Sequence, residues 1–243
     1  MISADATSDQ IGKVVTTVTD AITRRLIQLA IQRLGPPPVK FAWLALGSQG
    51  RQEQSAKSDQ DNALLLEDGF LPEHDSYFEE LAKYVCDGLD ACGYVYCPGE
   101  MMATNPKWCA RISTWRGYFR RWIATPDPMA QMLASVMFDL RPIGGTVSLF
   151  SDLQAETLAE AAENSIFVAH MIANSLTHTP PLGLLRGFAT FRSGEHKNQI
   201  DLKHNGVVPL TDLGRVYALI GQSAVANTRA RLLAAGDAGV IST

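Results

Sequence analysis

Between two apolar strings, KFAWLAL at 40–46 and NALLLE at 62–67, the chain places GSQGRQEQSAKSDQD. This arrangement constrains the fold more than any other stretch. Both apolar strings have the length and composition of buried strands, and the polar segment between them has nothing to contribute to a core. It must therefore lie at one end of a sheet, with Gly47-Ser48 leaving the first strand and Asp59-Gln60-Asp61 entering the second. Residues i and i+2 of a strand share a face, about 6.5–7 Å apart at the backbone. Asp59 and Asp61 therefore converge, and two carboxylates so close normally force one to take up a proton. A divalent cation removes that conflict, and hard oxygen donors favour Mg²⁺ or Mn²⁺ over zinc. Gly47 and Ser48 offer unobstructed backbone N–H groups and a hydroxyl to a polyphosphate. Arg51 adds a planar cation suited to phosphate oxygens, or else a structural salt bridge.

A phosphate grip beside a metal-binding carboxylate pair implies phosphoryl or nucleotidyl transfer. The two-metal form of that chemistry asks for a third carboxylate from another strand. Asp139, within SVMFDLRPIGG at 135–145, is the strongest candidate, because a charge flanked by Phe138 and Leu140 needs a partner or a metal. Arg141, two positions on, orients that carboxylate or contacts phosphate. In the irregular stretch around Asn105, Lys107 can reach a phosphate and Trp108 can stack on a base, with capping and packing as the plainer roles. Glu53 and Gln54 are suited to fixing the loop by hydrogen bonds. His196, Lys197, Lys203 and His204 lie in a polar connection that is either a solvated surface or an acceptor-docking site.

Elsewhere the periodicity alternates strand and helix and then turns purely helical. Ile11, Val14, Val15, Val18, Ile22, Leu26, Leu29 and Leu34 give an amphipathic helix over 10–34, ended by GPPP at 35–38. A helix is expected at 73–92 and a strand at 93–97. The helically spaced aromatics Trp115, Tyr118, Phe119 and Trp122 suit core or inter-domain packing. Helices are then expected at 152–176, 181–194 and 209–234. The pattern is an α/β (α+β) catalytic part over 37–150, preceded by a helix over 1–36 that packs on it, and followed by a helical part over 151–243.

A net charge of −4 leaves no electrostatic footprint for nucleic acid or for a membrane surface. No apolar run reaches the roughly 20 residues that span a bilayer, and the N-terminus lacks a signal-peptide pattern. Cys86, Cys92, Cys97 and Cys109 show neither C-x-x-C nor zinc spacing, which suits reduced thiols in a cytoplasmic protein. The five histidines form no ligand pattern.

"GS" followed by "SDQDN" resembles the motif of the DNA polymerase β-like nucleotidyltransferase superfamily. The longer string LGSQGRQEQSAKSDQDNALLL, with MMATNPKW, FDLRPIGG and DLKHNGVVPLTDLGRVYAL…NTRARL, is similar to the DUF294 nucleotidyltransferases. These are relatives of PII-protein uridylyltransferase and glutamine-synthetase adenylyltransferase. The resemblance implies a polymerase β-like sheet with flanking helices, followed by a helical substrate-binding domain. It implies that Gly47 and Ser48 bind the phosphates of ATP or UTP, and that Asp59, Asp61 and Asp139 hold Mg²⁺ or Mn²⁺ and activate an acceptor hydroxyl. The acceptor it suggests is a regulatory protein, and it associates such units with upstream CBS or cyclic-nucleotide-binding domains, which this chain does not contain. A nucleotide-sensing module without turnover, a helical interaction scaffold and a small-molecule nucleotidyltransferase are the alternatives.

Overall fold

A computed structural model describes residues 5–55, 58–125, 132–133, 138–177 and 199–241. The chain divides into two compact units, Met1–Arg121 with Val136–Thr157, and Trp122–Ser135 with Leu158–Thr243.

The first unit is built on a four-stranded sheet of order β3-β2-β1-β4. Its strands are β1 (Phe41–Ala45), β2 (Asn62–Leu66), β3 (Cys109–Arg111) and β4 (Arg141–Gly145). β1 is antiparallel to both β2 and β4, whereas β3 runs parallel to β2. Every residue of β1 and β2 is buried, as expected for apolar runs covered on both faces. Helix α1 (Ser8–Leu34) and helix α3 (Asp75–Ala91) pack together. Ile27, Ala30, Phe78, Leu81 and Val85 from these helices share one core with Phe41, Trp43, Leu64 and Leu66 of the sheet. Thr7 and Gln10 form a reciprocal capping box at the start of α1. Helix α4 (Ile112–Ala124) follows β3 directly. Its Trp115 is fully buried, lies against Trp108 and Phe119, and donates its indole N–H to the Leu64 carbonyl at 3.2 Å.

Four expectations are corrected by these elements. Residues 93–97 make only one isolated bridge, Gln60 to Tyr96, because Pro98 and the Cys97–Glu100 turn stop further pairing. The strand expected at 135–145 begins at Arg141, and Phe138-Asp139 form a turn before it. The helix expected at 152–176 is two, α5 (Leu149–Glu163) and α6 (Ser165–Ser175). They are separated at Asn164, whose side chain accepts the Phe167 N–H at 3.0 Å and so restarts the helix. The helix expected at 209–234 is likewise two, α7 (Val208–Ile220) and α8 (Thr228–Asp237), with Asn227 capping α8.

In the second unit α6 packs on α7 and α7 on α8. The helix expected at 181–194 lies outside the described residues. No helix among the described residues is long and apolar enough to cross a membrane.

Candidate functional site

The register brings the polar segments to one end of the sheet. Ala45 stands opposite Asn62 on one side and Arg141 on the other. The next residues along, Leu46, Asp61 and Leu140, therefore leave the sheet together. The Leu46 N–H is bonded to the Asp61 carbonyl at 3.1 Å. Gly47 then turns with φ +53, and Gly47–Gly50 form the one-turn helix α2. The Gly50 and Arg51 N–H groups turn back to the Leu46 and Gly47 carbonyls. The amides of Gly47, Ser48 and Gln49 are thus first-turn donors that have no carbonyl one turn back. A side chain at Gly47 would stand 2.9 Å from an Asp61 carboxylate oxygen, so glycine leaves room for that carboxylate.

Asp59 to Asn62 alternate as a strand should. Gln60 and Asn62 are buried, while Asp59 and Asp61 are half-exposed. Gln60 donates from its amide nitrogen to the Cys86 and Tyr94 carbonyls, each at 3.0 Å. Asn62 donates to the Gln60 side-chain oxygen at 3.3 Å and accepts the Ala103 N–H at 2.8 Å. These two amides anchor one side of the segment, so both carboxylates are presented on the other. There they meet Cys97, and one ligand atom from each of Asp59, Asp61 and Cys97 lies within 4.8 Å of the others. Burial pushes the Cys97 thiol above its ordinary value, and the Asp61 carboxylate beside it adds to the effect.

Asp139 is fully buried in the turn ahead of β4. It accepts a charge-assisted bond from the Arg51 guanidinium at 2.5 Å, and Arg51 also donates to Glu53 at 2.9 Å. The Asp139 carbonyl packs directly over Gly50, where any Cβ would overlap it. Arg141 points towards α1. It donates to both carboxylate oxygens of Asp20, at 2.8 and 3.1 Å, and to the Gly50 and Gln49 carbonyls at 3.1 and 3.0 Å. Gln49 adds a bond to Asp20 at 3.0 Å. Asp20, Gln49 and Arg141 therefore clamp α2 between α1 and β4. Asp20, Gln49, Gln60, Asn62 and Cys97 were not singled out from sequence. Strand alternation alone carries a signal for Gln60 and Asn62, and the other three have none at that level.

Lys107 is exposed, with its ammonium 4.4 Å from the centroid of the Trp108 ring. Trp108 itself is buried against Trp115 and Tyr118, so its ring is engaged in packing. Asn105 accepts the Lys107 N–H at 3.0 Å and ties the loop to the Glu100 carbonyl. Gln54 is buried with its side-chain oxygen lacking a hydrogen-bond partner, as is the Thr16 hydroxyl. His204 lies in the turn Lys203–Val207 and is bonded to Asp201 at 2.8 Å. His196 and Lys197 lie outside the described residues.

The donor set at the head of β2 fits a divalent ion: two carboxylates on one face, a thiol beside them and a glycine that leaves the approach clear. Family-level comparison agrees with this chemistry. Residues 1–129 match the model described as "Putative nucleotidyltransferase DUF294". Residues 165–243 match that described as "Putative nucleotidyltransferase substrate binding domain". No curated protein matches the chain significantly.

Proposed function

The chain belongs to the DUF294 family of nucleotidyltransferases, and from that premise we propose that it moves an NMP unit from ATP or UTP onto a hydroxyl acceptor, releasing pyrophosphate. The observation that carries this is the placement of Gly47-Ser48 and Asp59/Asp61 at one end of the sheet, with Asp61 directly against Gly47. In this reading the Gly47 and Ser48 amides and the Ser48 hydroxyl donate to the triphosphate oxygens. Asp59 and Asp61 hold Mg²⁺ or Mn²⁺. Such an ion, when bound, supplies neutralising charge to the phosphates and lowers the pKa of an attacking hydroxyl. Asp20 and Arg141 hold the phosphate-binding turn at a set height above the sheet. Asp139 is the third carboxylate, oriented by Arg51. Lys107, an exposed cation, meets the outer phosphates in this reading. The acceptor in this reading is a side chain of a regulatory protein, a tyrosine for example, received by the helical part over 151–243.

One observation favours the alternative of a nucleotide sensor without turnover. Asp139 is fully buried and already paired with Arg51, an arrangement that also serves a purely structural role. Product analysis separates the two. Incubation with labelled ATP and UTP, Mg²⁺ and candidate protein or small-molecule acceptors should yield labelled acceptor and pyrophosphate. Asp59→Asn and Asp61→Asn should each abolish transfer. Transfer that survives both substitutions rejects the assignment, and nucleotide binding without any pyrophosphate favours the sensor.

A further inference from the structure

We propose that Cys97 is a third ligand of the cation position formed by Asp59 and Asp61, and that it makes the position selective for thiophilic divalent ions such as Zn²⁺ and Co²⁺. The proposal rests on the reading that the two aspartates hold a cation.

The donors arrive from two separate segments of the chain. Asp59 and Asp61 stand at the head of β2, and Cys97 comes from the loop that follows α3. The Gln60 N–H bonds the Val95 carbonyl at 3.0 Å, and Gln60 bridges to Tyr96 in parallel, so backbone pairing sets Cys97 beside Asp61. Cys97 is itself held on both sides. Its carbonyl accepts the Glu100 N–H at 3.0 Å, and its own N–H points at the Met102 sulfur at 3.4 Å. The three ligand atoms lie within 4.8 Å of one another. Zinc takes thiolate at about 2.3 Å and carboxylate at about 2.0 Å in a tetrahedron, which sets donors about 3.5 Å apart. Small side-chain rotations close that difference.

The mixed donor set decides which ion binds best. Two carboxylates alone suit Mg²⁺ or Mn²⁺, which take oxygen donors and tolerate a neutral thiol as a bystander. A thiolate shifts preference toward ions late in the first transition row. On coordination the thiol gives its proton to solvent and the sulfur lone pair to the metal, with no change of oxidation state. A thiophilic ion seated there engages both carboxylates at once and displaces the hard ion. The predicted consequence is that zinc inhibits the transfer that Mg²⁺ supports. The other thiols are poorly placed to take over this role. Cys86 is buried and directed at the Asn62 side chain, Cys92 is exposed at the end of α3, and Cys109 lies in β3.

Titration of the full chain with Co²⁺ tests this without any need for activity. Wild type should develop a near-ultraviolet sulfur-to-cobalt charge-transfer band. Cys97→Ser should lose the band and weaken Zn²⁺ binding about tenfold or more while leaving Mn²⁺ binding, followed by its paramagnetic resonance, little changed. Cys92→Ser should retain the band. Mn²⁺ binding with no cobalt–sulfur band, or a band that persists in Cys97→Ser, overturns the role of Cys97 and leaves the aspartate reading standing. Failure of wild type to bind either Mn²⁺ or Co²⁺ overturns both.

Discussion

Asp20 on α1 and Arg141 on β4 stand 121 positions apart in sequence and are joined by two hydrogen bonds, 2.8 and 3.1 Å long. Asp20 is almost wholly buried, and that guanidinium is its nearest cation, with Arg24 farther off at 3.7 Å. Breaking such a pair leaves one charge stranded away from water, at a cost of about 3 kcal/mol. Asp20→Ala is predicted to lower stability by that order in urea unfolding. Arg141→Lys should recover little of it, because an ammonium cannot span both carboxylate oxygens and the two carbonyls of α2 as well. A variant of Asp20 that unfolds at the wild-type midpoint would show that the clamp contributes nothing.

Gly50 offers a sharper steric test. Its missing side chain is the space occupied by the Asp139 carbonyl, whereas Gly69 has nothing within 4 Å. Gly50→Ala should therefore force β4 and α2 apart, at a cost of about 3 kcal/mol, the upper range for overpacking. Gly69→Ala should be close to neutral. Denaturation midpoints of the two variants, compared side by side, check the difference. Equal midpoints would mean that the turn at 138–139 does not lie on α2.

How much of this was legible beforehand depends on the kind of signal involved. The apolar runs at 40–46 and 62–67 predict β1 and β2 within a residue at each end, because continuous burial needs no partner to be recognised. The length of α1 was equally plain, but its buried face was not. Val14 and Val18 are exposed, while Gly12, Thr16, Thr19, Asp20 and Thr23 are buried. The reason is local. A Cβ at Gly12 would meet the Gln52 and Glu53 backbone, so the first half of α1 lies on the polar loop, while Ile27 and Ala30, with Ile22, Leu26, Ile31 and Leu34 beside them, reach the apolar core. β3 escaped notice because three residues, Cys109–Arg111, are too few to show any period. At the site, carboxylates and glycines announce themselves through spacing. Arg141 and Cys97 acquire their roles from contacts with distant segments, which no local pattern encodes.

Asp68 links pH to the start of α4. Although partial burial works against its charge, the Ser113 N–H at 2.9 Å, the Ser113 hydroxyl and the nearby Arg116 and Arg111 hold its carboxyl below the usual range. A carboxylate with a lowered folded pKa contributes stability above its unfolded value, near about 3.9, and loses it as pH falls through the folded one. Asp68 is exposed, so solvent screens part of this effect, and Asp68→Ala should cost at most about 1 kcal/mol at neutral pH, the order of a lost helix cap. The gap between wild type and variant should close in acid below about pH 4. Thermal melts at several pH values measure it, and a gap that stays constant into acid would rule out the cap as its source.

The four thiols should separate by reactivity. Cys92 is exposed at the end of α3, where an alkylating reagent meets no barrier. Desolvation, reinforced at Cys109 by Asp75 and Glu79, pushes Cys109 up to about 12, and burial also pushes Cys86 up to about 12. Thiolate is the reacting species, so at pH 8 neither Cys86 nor Cys109 should label in the folded state. Cys97 should be intermediate in rate: it is only partly covered, yet burial and the Asp61 carboxylate also raise it. Iodoacetamide labelling followed by peptide mass spectrometry should thus give the order Cys92, then Cys97, with Cys86 and Cys109 reacting only after unfolding. If Zn²⁺ occupies the Asp59–Asp61–Cys97 position, its addition should protect Cys97 selectively and leave the Cys92 rate unchanged. Rapid labelling of Cys86 or Cys109 in the native protein would contradict the packing between α3 and the sheet.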